Sequence, residues 1–210
     1  MRYDTVIFDL DGTLLDTLGD LTCAVNSALS RFSFSPLSRE EVRVRIGDGL
    51  RVLMERCFPE GTSDGILTAA MEHFCVFQRE HLLDNTLPYD GAAEMLATLK
   101  EAGVRLCVAT NKEHFLAERL LDHFFPNTFN ALCGRRDGLR RKPTPDIPMA
   151  ALSAVENPKR VLFVGDYITD ALTAGECGFN FLGVDWGYGD SALLTPIVHN
   201  MEDLLEFILG

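Results

Sequence analysis

Two aspartates two residues apart, Asp9 and Asp11, follow the apolar run Tyr3-Asp4-Thr5-Val6-Ile7-Phe8 and are trailed at once by Gly12 and Thr13. The run reads as a short buried strand, so both carboxylates stand where a strand gives way to a glycine-containing turn. Like charges that close repel, and burying even one carboxylate is costly. Such a pair is tolerated when a cation lies between its members or when one of them carries a proton. Both conditions suit phosphoryl transfer. Magnesium prefers one or two carboxylates plus phosphate oxygens, and a carboxylate can itself attack as a nucleophile.

Three more signals follow at the ends of apolar runs. Val108-Ala109-Thr110-Asn111-Lys112 ends a strand in a hydroxyl, Lys142-Pro143 precedes a helix, and Val164-Gly165-Asp166-Tyr167-Ile168-Thr169-Asp170 ends a strand in a second spaced carboxylate pair. Each has a plainer explanation alone. Strand-end threonines and helix-start aspartates usually cap, and a lone lysine is usually solvated. Together, in this order, they converge on one sheet edge. That edge would hold Asp9, Asp11, Asp166, Asp170, Lys142 and Thr110, a set whose negative charge calls for a divalent cation.

The elements that must position these residues are legible from periodicity. Thr5–Asp9, Arg105–Thr110, Ala131–Gly134, Val161–Gly165 and Asn180–Val184 read as strands of a buried parallel sheet. Helical patterns alternate with them over Ala92–Glu101, Glu113–His123, Pro148–Val155 and Ile168–Cys177, with Gly103 and Gly178 as stops. This predicts a doubly wound, Rossmann-like α/β sheet, in which ligands bind beyond the carboxyl ends of the strands. Residues 16–86 break the alternation with four helical stretches, Leu18–Phe32, Arg39–Ile46, Leu50–Phe58 and Ser63–Leu83. They read as an inserted helical cap, leaving 1–15 and 87–210 as the catalytic core.

Of the 210 residues, 47% are hydrophobic and 24% charged, an ordinary globular balance. The net charge of −12 argues against nonspecific nucleic-acid binding. The six cysteines show no paired spacing and no accompanying histidine cluster, so zinc and disulfide readings are weak. The five histidines show no metal spacing and receive no role. With no leader and no apolar run of membrane length, a cytoplasmic protein is expected. The arginine-rich loop from Gly134 to Pro143 reads as solvated apart from Lys142.

On these residues the chain resembles phosphatases of the haloacid dehalogenase superfamily over essentially its whole length. The motifs DLDGT, strand-end Thr110, Lys142 and GDYITD stand in that superfamily's order. Within it the chain is most similar to the phosphoglycolate phosphatase group, through Ile46-Gly47-Asp48-Gly49 with Leu53 and Arg56, Pro88-Tyr89-Asp90-Gly91, Arg141-Lys142-Pro143, and Val184-Asp185-Trp186-Gly187-Tyr188-Gly189. The resemblance implies Asp9 as nucleophile, Asp11 as acid and base, and Thr110 and Asn111 as phosphate binders. It implies Lys142 as a charge stabiliser, and Mg²⁺ held by Asp9, the Asp11 carbonyl and Asp166, with Asp170 nearby. Tyr167 departs from the pattern, since many relatives carry serine there.

The cap is expected to choose the substrate, with Gly47 and Gly49 as a turn that can approach a small ligand closely and the neighbouring Arg45 and Arg51 as candidates for gripping a substrate carboxylate. The expected partner is a small phosphorylated metabolite, 2-phosphoglycolate first, with no nucleic acid and no membrane, and a monomer or homodimer. Other reactions on the same scaffold remain alternatives: a sugar-phosphate phosphatase, a phosphomutase or a pyrophosphatase. A phosphonate-cleaving relative would need a cap lysine, and residues 16–86 contain none. A noncatalytic binding protein would be expected to have lost these carboxylates.

Overall fold

The structure is a computed structural model that describes residues 1–47 and 49–210. Its centre is a six-stranded sheet. The strands are β1 (Thr5–Phe8), β4 (Arg105–Glu113), β5 (Ala131–Arg135), β6 (Val161–Gly165), β7 (Asn180–Val184) and β8 (Ile197–Val198). They lie in the order β5-β4-β1-β6-β7-β8, and every pairing is parallel. Two further short strands, β2 (Leu15–Asp16) and β3 (Leu87–Pro88), form a separate ribbon.

The central strands are buried along their whole length, which explains why Val6-Ile7-Phe8 and Val161-Leu162-Phe163-Val164 read as continuous apolar runs. The helices following the strands are α5 (Ala92–Glu101), α6 (His114–Phe124), α7 (Asp146–Leu152), α8 (Ile168–Cys177) and α9 (Met201–Leu209). The chain divides into two compact units, one of residues 1–16 and 88–210 and the other of 17–87. Among the described residues the regular elements of the second, apart from Leu87 of β3, are helices: α1 (Leu18–Arg31), α2 (Arg39–Arg43), α3 (Leu50–Cys57) and α4 (Asp64–Glu80).

Several boundaries differ from expectation for physical reasons. Helix α7 starts at Asp146 rather than Pro148, because a proline in the first turn loses only an N–H that had no partner there. Asp146 in that turn is held by Arg140, whose backbone N–H and guanidinium both reach its carboxylate at 3.0 Å. Strand β4 runs past Thr110 to Glu113, and the register with β5 shifts between Ala109 and Glu113. Strand β8 and helix α9 were not anticipated. The strand is two residues long, too short for any period, while α9 is begun by Asn200, whose side chain accepts from Asp203 N–H at 2.8 Å.

The helical unit is stapled by a buried carboxylate of its own. Asp20 accepts from the backbone N–H of Asn85 at 2.8 Å and from the Thr86 hydroxyl at 2.7 Å, tying the first turn of α1 to the segment that ends the unit. Gly19 permits this approach, since a Cβ there would sit 2.7 Å from the Cβ of Asn85. Helix α2 opens with a Ser38–Glu41 capping box.

Candidate active site

The core residues singled out from sequence lie at the carboxyl ends of β1, β4 and β6 or in the segments just beyond β1, β4, β5 and β6, Lys142 in the segment that follows β5. Asp9 directly follows β1, and its backbone N–H donates to Val164 O on β6 at 2.9 Å, which fixes its position along the sheet. The chain then wraps around Leu10, whose carbonyl accepts from Leu14 and Leu15 at 3.0 and 3.1 Å. This turn carries Asp11, Gly12 and Thr13. Gly12 has φ +86°, and a Cβ there would overlap the Asp166 carboxylate, so both backbone shape and space demand glycine.

Asp166 directly follows β6, and Asp170 lies in the first turn of α8. Carboxylate oxygens of Asp9, Asp166 and Asp170 lie within 4.8 Å of one another. Asp166 is packed on all sides. Thr13 Oγ1 donates to Oδ1 at 2.9 Å, Tyr188 N–H donates to Oδ2 at 2.8 Å, and a Cβ on Gly187 would overlap the same carboxylate. Trp186 Nε1 in turn donates to Thr13 O at 3.1 Å. The sequence marked Trp186–Tyr188 as a familiar stretch without a task; it is the wall that aims Asp166. The Tyr167 ring lies along Gly189, where an added Cβ would stand 2.9 Å from Tyr167 Cδ2.

Lys142 reaches this cluster with a side chain only 2% exposed. Its Nζ is 2.7 Å from Asp170 Oδ1 and 2.9 Å from Asp9 Oδ1. The Asp9 contact is an ion pair out of line for a hydrogen bond, so this buried oxygen has no directed donor among the described residues. Burial works against the Lys142 charge, but Asp170 and Asp9 outweigh it and hold the ammonium above its ordinary value. Burial, then the neighbouring charges of Asp170 and Asp9, push Asp166 up to about 7. Burial likewise pushes Asp170 up to about 6 against the opposing pull of Lys142.

The register shift in β4 shows how three consecutive residues come to face one place. Between the pairs Ala109–Cys133 and Glu113–Arg135, three residues of β4, Thr110, Asn111 and Lys112, stand opposite one of β5, Gly134, and occupy the bulge. Asn111 clamps the backbone of Lys142: Oδ1 accepts from Lys142 N–H at 2.8 Å, and Nδ2 donates to Lys142 O at 3.2 Å. Thr110 Oγ1 accepts from Lys112 N–H at 3.2 Å. Lys112 Nζ donates to Asp11 Oδ1 at 2.8 Å from a side chain only 5% exposed. In the sequence Lys112 stands only as the last residue of the Val108–Lys112 run, with nothing that assigns it a role. Its spacing of two from Thr110, one strand period, was the available signal.

The helical unit presents its candidates differently. Arg51 Nε pairs with Glu55 at 2.6 Å, and its guanidinium also meets Asp64. Arg45 Nε donates to Arg56 O at 2.9 Å and its terminal nitrogen to Glu41 O. Gly47 and Gly49 have φ +127° and +93°, backbone that favours glycine. Asp48, between them, lies outside the described residues.

The donor set fits a hard divalent cation. Four carboxylates, when ionised, against two ammoniums leave two negative charges, three of the carboxylates converge, and one of those three, Asp9, has an oxygen without a directed donor among the described residues. The six-strand parallel sheet and a strand-end carboxylate centre define a doubly wound hydrolase. Residues 6–184 match the haloacid dehalogenase-like hydrolase family, and the chain belongs to it. It is a phosphatase of that family, as the relatives agree. It is 34% identical over 209 residues to a phosphoglycolate phosphatase of Caulobacter vibrioides, covering 95% of this chain and 88% of that one. It is 30% identical to the N-acetylmuramic acid 6-phosphate phosphatase of Pseudomonas aeruginosa, covering 90% and 84%. Among solved structures, a provisionally named phosphoglycolate phosphatase of Lactobacillus delbrueckii subsp. bulgaricus superposes with a TM-score of 0.94 over all of both chains at 28% identity. No helix among the described residues is long and apolar enough to cross a membrane.

Proposed function

We propose that this phosphatase hydrolyses a small phosphomonoester through an aspartyl phosphate on Asp9, with Mg²⁺ as cofactor and 2-phosphoglycolate as the first-choice substrate. One observation carries the reading: Asp9, directly after the central strand β1, has one oxygen without a directed donor beside Lys142, and its carboxylate comes within 4.8 Å of Asp166 and Asp170 oxygens.

Asp9 attacks phosphorus in line with the leaving oxygen, and Asp11 gives that oxygen a proton as the P–O bond breaks. Water then attacks the phosphorus, Asp11 takes one of its protons, and Asp9 departs as a carboxylate. Thr110, whose oxygen already accepts from Lys112 N–H, offers its O–H to a phosphoryl oxygen, as does the backbone at Asn111. Lys142 stabilises charge on Asp9 and on the transferring group. Asp9, Asp166 and the Asp11 carbonyl would hold Mg²⁺, with Asp170 behind them; bound there, the ion supplies the positive charge that lets an anionic nucleophile approach an anionic phosphate.

The phosphoglycolate phosphatase names of several relatives support the substrate choice. In this reading Arg45, Gly47 and Arg51 of the helical unit select the leaving group, with an arginine exchanging its present partners for a substrate carboxylate. A sugar phosphate is the second reading, favoured by the N-acetylmuramic acid 6-phosphate phosphatase relative. A cytoplasmic monomer or homodimer completes the proposal.

The test is phosphate release with Mg²⁺ from 2-phosphoglycolate, N-acetylmuramic acid 6-phosphate, glucose 1-phosphate, pyrophosphate and p-nitrophenyl phosphate. The expected outcome is a preference for 2-phosphoglycolate, with Asp9→Asn inactive on every substrate. Substantial turnover by Asp9→Asn would remove Asp9 as nucleophile. In the same panel, Arg51→Ala is expected to raise KM for 2-phosphoglycolate but not for p-nitrophenyl phosphate, which has no carboxylate.

A further inference from the structure

We infer that Lys112 is a positioning residue for leaving-group protonation: it holds the Asp11 carboxyl in place and stabilises the carboxylate that remains once Asp11 has given up its proton. The inference rests on the reading of Asp11 as acid and base.

Three observations lead to it. The Lys112 side chain is 5% exposed, and lysines are almost never that buried without a charged partner. Its partner is Asp11, at 2.8 Å. Its place is also specific. It sits in the β4 bulge beside Thr110 and Asn111, and its own N–H is held by Thr110 Oγ1 at 3.2 Å, so the same irregularity that presents the phosphate-binding threonine sets the root of the lysine.

The two buried lysines thus divide the carboxylates. Lys142 faces Asp9 and Asp170, while Lys112 faces Asp11. Asp11 changes charge twice in the reaction. In the first step its proton passes to the leaving oxygen as the P–O bond breaks and the Asp9–phosphorus bond forms. The carboxylate left behind lies in a region already rich in negative charge, and Lys112 is the cation that meets it. In the second step water's oxygen bonds to phosphorus, one water proton returns to Asp11, and the bond from Asp9 to phosphorus breaks. An ammonium at 2.8 Å also restricts the Asp11 side chain, which matters because proton transfer needs the donor within hydrogen-bond reach of the leaving oxygen.

This role has a signature that a general structural role lacks. A leaving group that is stable as an anion needs no proton, whereas an alkoxide does. Because kcat/KM reports steps only through loss of the first product, it isolates the protonation step from the later attack of water. The experiment measures kcat/KM for 2-phosphoglycolate and p-nitrophenyl phosphate in wild type, Lys112→Met, Lys112→Arg and Asp11→Asn, all with Mg²⁺. The ratio of the two values for one preparation is independent of the fraction of enzyme that is folded, so a destabilised variant still reports.

Lys112→Met is expected to lower kcat/KM for 2-phosphoglycolate by about 10- to 100-fold, part of the full general-acid contribution, and for p-nitrophenyl phosphate by less than about 3-fold. Lys112→Arg is expected to restore part of the loss, and Asp11→Asn to show the same selective loss, only larger. If Asp11→Asn is selective and Lys112→Met lowers both substrates equally, or neither, Lys112 has no part in protonation and the inference is overturned. If Asp11→Asn itself shows no selectivity, the acid assignment falls and takes this inference with it.

Discussion

In the core unit the Lys142 ammonium is 2% exposed and lies between Asp170 and Asp9; in the helical unit the Arg51 guanidinium is 40% exposed and meets Glu55 and Asp64, the latter 80% exposed. On paper both are one cation with two acids. Physically they differ. Water screens the Arg51 pairs, and such surface bridges are worth about 0–1 kcal/mol. The Lys142 cluster has lost its water, so each charge is held against a desolvation cost that its partners must offset. Folding alone gives little reason to bury such a group. The Lys142 cluster is therefore the one whose buried charges folding alone does not explain, whereas the exposed Arg51 pairs remain free to exchange partners.

The largest effect that tests this contrast is Lys142→Met. It leaves Asp9 and Asp170 facing each other without the ammonium between them. kcat/KM is expected to fall by about 10²- to 10³-fold, and stability by about 3 kcal/mol. Steady-state kinetics and urea unfolding check both. A variant as active and stable as wild type would erase the distinction between the two clusters.

A glycine from each unit sharpens the comparison at intermediate size. Gly12 and Gly61 both have positive φ, +86° and +82°, but a Cβ on Gly12 would overlap Asp166, whereas Gly61 has nothing within 4 Å. Gly61→Ala is expected to cost only the left-handed strain, about 1–2 kcal/mol, and to leave kcat/KM unchanged. Gly12→Ala bears that strain and also displaces a proposed metal ligand, so the Mg²⁺ concentration giving half-maximal rate is expected to rise about tenfold or more. Equal kinetics for the two variants would show that the packing around Asp166 does not set metal affinity.

The last test of the contrast is a pH dependence confined to the core cluster. Without a metal, burial and the charges of Asp170 and Asp9 push the Asp166 carboxyl up to about 7, above the ordinary carboxylate value. The folded state thus holds this proton more tightly than the unfolded chain. Where only the folded state is protonated, the slope of unfolding free energy with pH is negative. The Asp166 contribution therefore favours folding at low pH and is lost as pH rises from about 4 to about 7. Mg²⁺ is expected to raise Tm more at about pH 8 than at about pH 5, because at the lower pH it competes with the proton. Thermal melts with and without Mg²⁺ check this. A metal-induced shift that is the same at both values would separate the Asp166 proton from the metal site.

The chemistry-bearing residues were legible because their signal is local. A buried parallel strand is a short unbroken apolar run, and β1, β6 and β7 ended within a residue of where that run ended. The first residues beyond β1 and β6 then had to lie at one edge, which puts Asp9 and Asp166 together on the strength of the sequence pattern alone. Helices α5 and α8 were readable for a similar reason, since Gly103 and Gly178 follow them at positive φ. Strand β8 escaped because two residues carry no period, and the early start of α7 because proline looks like a boundary from outside a first turn.

What the sequence determined by itself was the inventory: a strand-end carboxylate pair, a second carboxylate pair, a lysine and a hydroxyl, most of them tied to the end of an element whose period is written in neighbouring residues. What only the tertiary structure decided was how that inventory is held. The β4 bulge depends on how many residues of one strand face another, a property of pairing that neither strand contains alone. It is the bulge that turns Asn111 into a clamp on Lys142 and brings Lys112 to Asp11 across 101 residues of chain. The wall of Thr13, Trp186 and Tyr188 around Asp166 likewise joins segments up to 173 residues apart. Local patterns are set by the backbone's own periodicity, whereas these contacts exist only once the sheet has assembled and excluded water from its edge.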